Sequence, residues 1–112
     1  MKKITAIIRP EKADAVRAAL QEANSPGIMI SEVEGHGKQK GIEQQWRGEK
    51  FRVELLPKVK FEIVAETSAV DKIISTIIRE AKTGEVGDGK IFVSDVSNVI
   101  RIRSGEEGAT AI

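Results

Sequence analysis

The sequence predicts an α+β fold in which a β-α-β unit is written twice. Three observations predict it. The strand-like stretches KKITAIIRP and KFEIVAE each run into a stretch with helical spacing. Each helical stretch is followed by a second extended apolar run. The two sets occupy opposite halves of a chain of 112 residues, a length that suits one domain with a small core and leaves no room for two. The order β-α-β, β-α-β is the split βαβ, ferredoxin-like plan.

Taken in order, residues 2–10 read as a strand ending at Pro10, which the first turn of a helix tolerates. EKADAVRAALQEAN then places Val16 and Leu20 four apart on one helical face. GIMISEVEG, residues 27–35, is the second strand. In the second half, KFEIVAE is again a strand, and the helix after it sets Val70, Ile73, Ile74, Ile77, Ile78 and Ala81 on one stripe. KIFVSDV, residues 90–96, closes the repeat. Between the halves, residues 37–57 form a connection longer than compact domains ordinarily contain, so it is read as functional. Its polar centre with Trp46-Arg47-Gly48 at the tip suits either a projecting loop or a β-ribbon.

Two helices cover one face of a four-stranded sheet, yet ITAIIR and IVA carry apolar residues at neighbouring positions, as strands buried on both faces do. The uncovered face therefore calls for a partner. Further copies of the chain in a closed symmetric oligomer supply one most economically, ahead of a long loop folded across the sheet.

Composition narrows the function. With 18 basic and 17 acidic residues, the net charge of +1 gives no general attraction to nucleic acid or anionic membrane. The absence of cysteine removes disulfide scaffolds and thiolate metal sites. MKKITAIIRPEK has too short an apolar stretch for a signal peptide, and no run is long enough to span a bilayer, so the expectation is a soluble cytoplasmic protein. His36 is the only histidine, which leaves little from which to assemble nucleophilic or acid-base catalysis. The expectation is not an enzyme.

Anion binding is better supported. In TGEVGDGK, residues 83–90, Gly84, Gly87 and Gly89 allow successive backbone N–H groups to converge on an anion, and Lys90 adds a positive charge. GHGKQKG, residues 35–41, offers the same ingredients at the end of the second strand. In VIRIR, period-2 alternation sets Arg101 and Arg103 on the same face of an extended chain, two planar forks suited to phosphate oxygens. Jointly the three elements point to a polyphosphate ligand.

At Thr83 followed by Gly87-Asp88-Gly89-Lys90-Ile91-Phe92-Val93, and at GKQKG, Arg47-Gly48, LLPKVK and IRIR, the sequence resembles the PII nitrogen-regulatory signal-transduction family over essentially the whole chain. The resemblance implies a ferredoxin-like homotrimer that binds ATP or ADP in clefts between subunits. It assigns phosphate contacts to Gly37, Lys38, Gln39, Gly87, Asp88, Gly89 and Lys90, with Arg101 and Arg103 reaching the same ligand. Met29, Glu62 and Val64 would lie beside adenine and ribose. In members that sense 2-oxoglutarate, Mg²⁺ is held by the phosphates, the keto acid and the glutamine matching Gln39. The lysine matching Lys58 pairs with the distal carboxylate, and Lys40 and Gly41 complete that site. Through Arg47 at the loop tip the resemblance implies an ammonium transporter as partner, with recruitment to the membrane only by way of it, beside other nitrogen-metabolism proteins.

Three departures bear on these expectations. Lys38 stands where the family usually has arginine, replacing a planar fork with a point charge at the γ-phosphate. Met29 stands where a threonine usually supports adenine. Phe51 occupies the position of a tyrosine that many bacterial relatives nucleotidylate, and residues 37–57 hold no serine, threonine or tyrosine, so a ligand-driven switch is expected rather than a covalent one. Three rival functions remain: a nucleotide sensor without 2-oxoglutarate, a ferredoxin-like nucleic-acid binder and, third, a phosphate-ester enzyme. The second is disfavoured because Phe61 and Phe92 lie in otherwise apolar strands, with no basic stacking platform.

Overall fold

A computed structural model of the chain describes residues 1–35, 43–46, 49–52 and 56–112, the two short central stretches by their backbone alone. The four-stranded sheet consists of β1 (Lys2–Ile8), β2 (Ile28–Gly35), β5 (Leu56–Ala65) and β6 (Lys90–Asp95), in the order β2-β5-β1-β6. All three pairings are antiparallel. Helices α1 (Ala13–Glu22) and α2 (Val70–Ala81) follow β1 and β5. This is the ferredoxin-like arrangement that the repeated β-α-β order predicts.

Each helix is entered through a short 3₁₀ turn, Pro10–Lys12 before α1 and Thr67–Ala69 before α2. Pro10 is harmless there, because the first turn of a helix leaves its N–H groups without intrahelical partners anyway. α1 stops where Asn24 takes a φ of 53° and donates its N–H to the Gln21 carbonyl; asparagine tolerates this left-handed geometry better than most residues. α2 stops at Lys82, whose backbone is extended while its N–H still reaches the Ile78 carbonyl.

One face of the sheet carries the core. Ile4, Ala6 and Ile8 of β1 alternate with half-buried neighbours, as do Val59, Phe61, Ile63 and Ala65 of β5. Val16 and Leu20 of α1, and Val70, Ile73, Ile77 and Ala81 of α2, close over them. The apolar stripe of α2 is wider than this core, so Ile74 packs at its margin and Ile78 stays exposed. Phe61 is fully buried, and removing its ring would cost about 3–5 kcal/mol.

The other face is the one that two helices leave uncovered. Within the single chain, Thr5, Ile7 and Val64 are only half-buried, and Met29 and Phe92 are 58% and 56% exposed. Register places Met29, Glu62, Thr5 and Phe92 in one row across the four strands of this face. Phe92 thus presents its ring on the open face and is not enclosed among apolar neighbours.

Within residues 37–57 the described stretches are two short strands and the start of β5. β3 (Glu43–Trp46) pairs antiparallel with β4 (Glu49–Arg52), Glu43 opposite Arg52 and Trp46 opposite Glu49. β5 begins at Leu56, so the strand that KFEIVAE predicts is longer at its start.

Among the described residues, no helix is long and apolar enough to cross a membrane.

Candidate functional site

The site begins at the end of the sheet where β1 finishes, β5 starts and the loop from α2 enters β6. Thr83–Gly89 must turn the chain here within a few residues, and Gly84, Gly87 and Gly89 take φ values of 90°, 103° and 100°. At Gly89 the requirement is also steric. A Cβ there would sit 1.7 Å from the Ile7 carbonyl oxygen and 2.8 Å from its carbon, so the loop lies directly on the backbone of β1.

Asp88 organises this turn from inside. Its Oδ2 accepts the backbone N–H groups of Thr83 and Gly84, each at 2.9 Å, and its Oδ1 accepts the Thr83 hydroxyl and Arg9 Nε, the latter at 3.1 Å. The Thr83 hydroxyl in turn accepts the Glu85 N–H at 3.1 Å. Hydrogen bonds from Thr83, with those from Gly84 and Arg9, hold the Asp88 carboxyl far below the usual carboxylate range. The resemblance implies a phosphate contact at Asp88; its side chain is engaged within the loop, so the contact available to an anion is its backbone.

Two cations from the sheet grip the loop's outer strand. Arg9, the residue after β1, donates from Nη2 to the Val86 carbonyl at 2.9 Å, and Lys58 of β5 donates from Nζ to the Gly87 carbonyl at 2.8 Å. Burial, and then the nearby Arg9 charge, push the Lys58 ammonium below its ordinary pKa. Lys58, Gly87, Asp88 and Gly89 are thereby brought together, with Lys90 exposed at the start of β6 and paired in register with Ile7.

Farther along the open face, Glu62 stands between Lys3 at 3.2 Å and Lys60 at 3.0 Å. Hydrogen bonds from Lys60 and then Lys3 hold its carboxyl below the ordinary value. An ionised carboxylate only accepts, which suits the hydroxyl groups of a sugar. Met29 lies directly across from Glu62, and Val64 lies two residues along β5.

The Arg101–Arg103 pair requires correction. These residues do not run along an extended strand. Ile100 bridges to Glu107, the Arg101 N–H donates to the Glu106 carbonyl, and the Gly105 N–H donates to the Arg101 carbonyl, which folds residues 101–105 into a tight turn. Gly105, at a φ of 73°, permits it. Arg101 donates to Glu106 Oε2 and to the Thr110 carbonyl, each at 3.1 Å, while Arg103 is exposed on the turn. Alternation failed as a guide because local hydrogen bonds decided the backbone.

Gly37, Lys38, Gln39, Lys40, Gly41 and Arg47 lie outside the described residues. Sequence reasoning missed Arg9 altogether; its partners stand more than seventy positions away, and only its place at a strand exit, before Pro10, marked it. No group of three or more His, Cys, Asp or Glu side chains that could hold a metal occurs among the described residues.

Comparison with known proteins gives one consistent answer. The family model for nitrogen regulatory protein P-II matches residues 1–106. The chain is 55% identical to nitrogen regulatory protein P-II 1 of Escherichia coli, over the full length of both chains. It is 50% identical to nitrogen regulatory protein P-II 2 of Methanothermobacter thermautotrophicus, over all of this chain and 97% of that one. Nitrogen regulatory protein P-II of Klebsiella oxytoca is likewise 55% identical across both full lengths. Whole-chain identity at this level, on the same ferredoxin-like frame, means that the chain belongs to the P-II family of nitrogen regulatory proteins.

Proposed function

We propose that this P-II protein is a non-enzymatic sensor of cellular nitrogen and energy status. It binds ATP or ADP in clefts between the subunits of a homotrimer, binds 2-oxoglutarate beside Mg-ATP, and regulates an ammonium transporter or another nitrogen-metabolism target through residues 37–57. The observation that carries this is the Thr83–Lys90 loop, a glycine-rich turn closed on its own Asp88 carboxylate and held by Arg9 and Lys58 at the end of a sheet whose other face exposes Met29 and Phe92.

Phosphates would lie on the backbone of Gly87, Asp88 and Gly89, with Lys90, Arg103 and the Gly37–Gln39 segment adding donors. Arg101 would have to exchange Glu106 for phosphate. Ribose hydroxyls would donate to Glu62, with adenine against Met29 and Val64. Lys58, already at the loop, is suited to the distal carboxylate of 2-oxoglutarate. The Mg²⁺ would neutralise phosphate charge and draw the keto acid to the nucleotide, held from the protein by Gln39. Lys40 and Gly41 would close that pocket. The exposed Met29 and Phe92 and the half-buried Ile7 and Val64 are surface that neighbouring subunits would cover. Arg47 would enter the mouth of the transporter from the cytoplasm, the one route by which the protein reaches a membrane. Ligands can drive this only through unequal affinity for the conformations of residues 37–57.

Calorimetry with ATP, ADP and 2-oxoglutarate, singly and combined, tests the proposal. Binding of 2-oxoglutarate only in the presence of Mg-ATP is expected, each ligand tightening the other equally. Absence of nucleotide binding defeats the proposal. Nucleotide binding with no response to 2-oxoglutarate leaves a nucleotide sensor alone. A stable monomer by light scattering at micromolar concentration would remove the trimer.

A further inference from the structure

We propose that Arg9 is a positioning residue for anion binding, one that touches no ligand yet turns the N–H groups of Gly87 and Asp88 outward and neutralises the carboxylate behind them. The proposal rests on the nucleotide site described above.

Peptide planarity ties each N–H to the carbonyl before it. In a trans peptide the C=O and the following N–H point in opposite directions, and no peptide here is cis. Arg9 Nη2 holds the Val86 carbonyl at 2.9 Å, so the Gly87 N–H points away from Arg9. Lys58 Nζ holds the Gly87 carbonyl at 2.8 Å, so the Asp88 N–H points away from Lys58. The two cations reach consecutive carbonyls from the adjoining strands β1 and β5. Two consecutive N–H groups are left on the opposite side, the arrangement of a backbone anion nest.

Charge reinforces geometry. Asp88 is the loop's inner anion, and an uncompensated carboxylate directly behind a phosphate site would repel the ligand. Arg9 Nε at 3.1 Å supplies the compensating charge, while Thr83 and Gly84 absorb the other oxygen. One guanidinium thus does two things that a lysine could not do together, since its fork spans an oxygen of the carboxylate and a backbone carbonyl.

A residue that only stabilises the fold would weaken every ligand alike. A residue that orients N–H groups and screens a carboxylate weakens ligands in proportion to their phosphate charge. The test is competition binding of ATP, ADP and AMP to the whole protein and to Arg9→Ala, Arg9→Gln and Arg9→Lys, with amide NMR of Gly87 and Asp88. For Arg9→Ala the expected loss is at least about tenfold for ATP, as for removal of a charge-assisted contact, smaller for ADP and least for AMP. Arg9→Lys should fall between it and wild type. The Gly87 and Asp88 amide shifts that ATP produces in the wild type should shrink in Arg9→Ala. Should Arg9→Ala fail to fold, Arg9→Gln and Arg9→Lys provide the same graded comparison. Equal losses for the three nucleotides, or undiminished ATP affinity, would overturn the proposal while leaving the nucleotide site standing. A wild-type protein that binds no nucleotide would overturn both.

Discussion

The Thr83–Lys90 loop and the C-terminal turn around Arg101 are built from the same parts and differ in reach. Each has glycine at positive φ, and each closes on an arginine–carboxylate pair with N–O distances of 3.1 Å. In the loop, the arginine comes from the exit of β1, and Gly89 rests on the Ile7 carbonyl. In the turn, Arg101 and Glu106 are five positions apart, and Ile102 between them is wholly exposed. A local pair fixes the shape of its own segment. A pair that joins distant segments fixes where the segment sits on the fold, which a binding loop requires.

The largest expected effect separates the two glycines. Gly89→Ala forces a Cβ into the Ile7 carbonyl at a φ of 100° and should destabilise by more than about 3 kcal/mol. Gly105→Ala, at 73° with nothing within 4 Å of the new atom, should cost about 1–2 kcal/mol. Urea unfolding of both variants measures the difference, and equal midpoints would erase the distinction.

The next effect is on ligand binding. If Arg103 contacts phosphate as proposed, Arg103→Ala would remove charge-assisted hydrogen bonds worth about 1.5–3 kcal/mol each, and ATP affinity should fall about tenfold or more. Unchanged affinity in calorimetry would make the C-terminal turn a solvated appendage.

Acid should loosen the loop. The carboxyl of Asp88 titrates below its ordinary value of 3.8 in the folded protein, so as pH falls the unfolded chain takes up its proton first. The stability it contributes is whole above about pH 5 and is lost progressively as pH falls through 3.8 toward the depressed folded value. Hydrogen-exchange protection of the Thr83 and Gly84 amides should decline over that window; constant protection to pH 2 would show that the carboxylate does not hold them.

The smallest effect is on the turn itself. Arg101 and Glu106 are 35% and 47% exposed, so Arg101→Ala should cost less than about 1 kcal/mol in thermal unfolding. A larger loss would mean that the turn is anchored as firmly as the loop.

What could be read from the sequence follows the range of the interactions involved. The α2 stripe was legible because Ile73 and Ile77 repeat with the period of the helix that buries them. The strands were legible as short apolar runs on either side of the helical stretches, and the need for unusual backbone was legible in the clustering of Gly84, Gly87 and Gly89. The reason for Gly89 was not, since a carbonyl of β1 approaching a loop has no signature in side chains. Arg9 was invisible for a related reason: its two donor nitrogens, Nε and Nη2, meet their partners Asp88 and Val86 only after the sheet has formed. VIRIR misled because alternation describes a possible strand, and the bonds of Gly105 and Glu106 to Arg101 made a turn instead.

The strand order has a consequence for how the molecule comes into being. β1 pairs with β5 and β6, and β2 pairs with β5, so every ladder of the four-stranded sheet joins the first half of the chain to the second. Neither half owns a ladder in that sheet. During synthesis β1 and β2 must wait, their strand edges unpaired, until β5 and β6 have emerged, and such distant pairings fold slowly. Cut between β2 and β5, the chain should yield two fragments that are unstructured apart and assemble into the sheet when mixed. The first β-α-β repeat is half of an interlocked pair, and a gene encoding it alone would encode no fold.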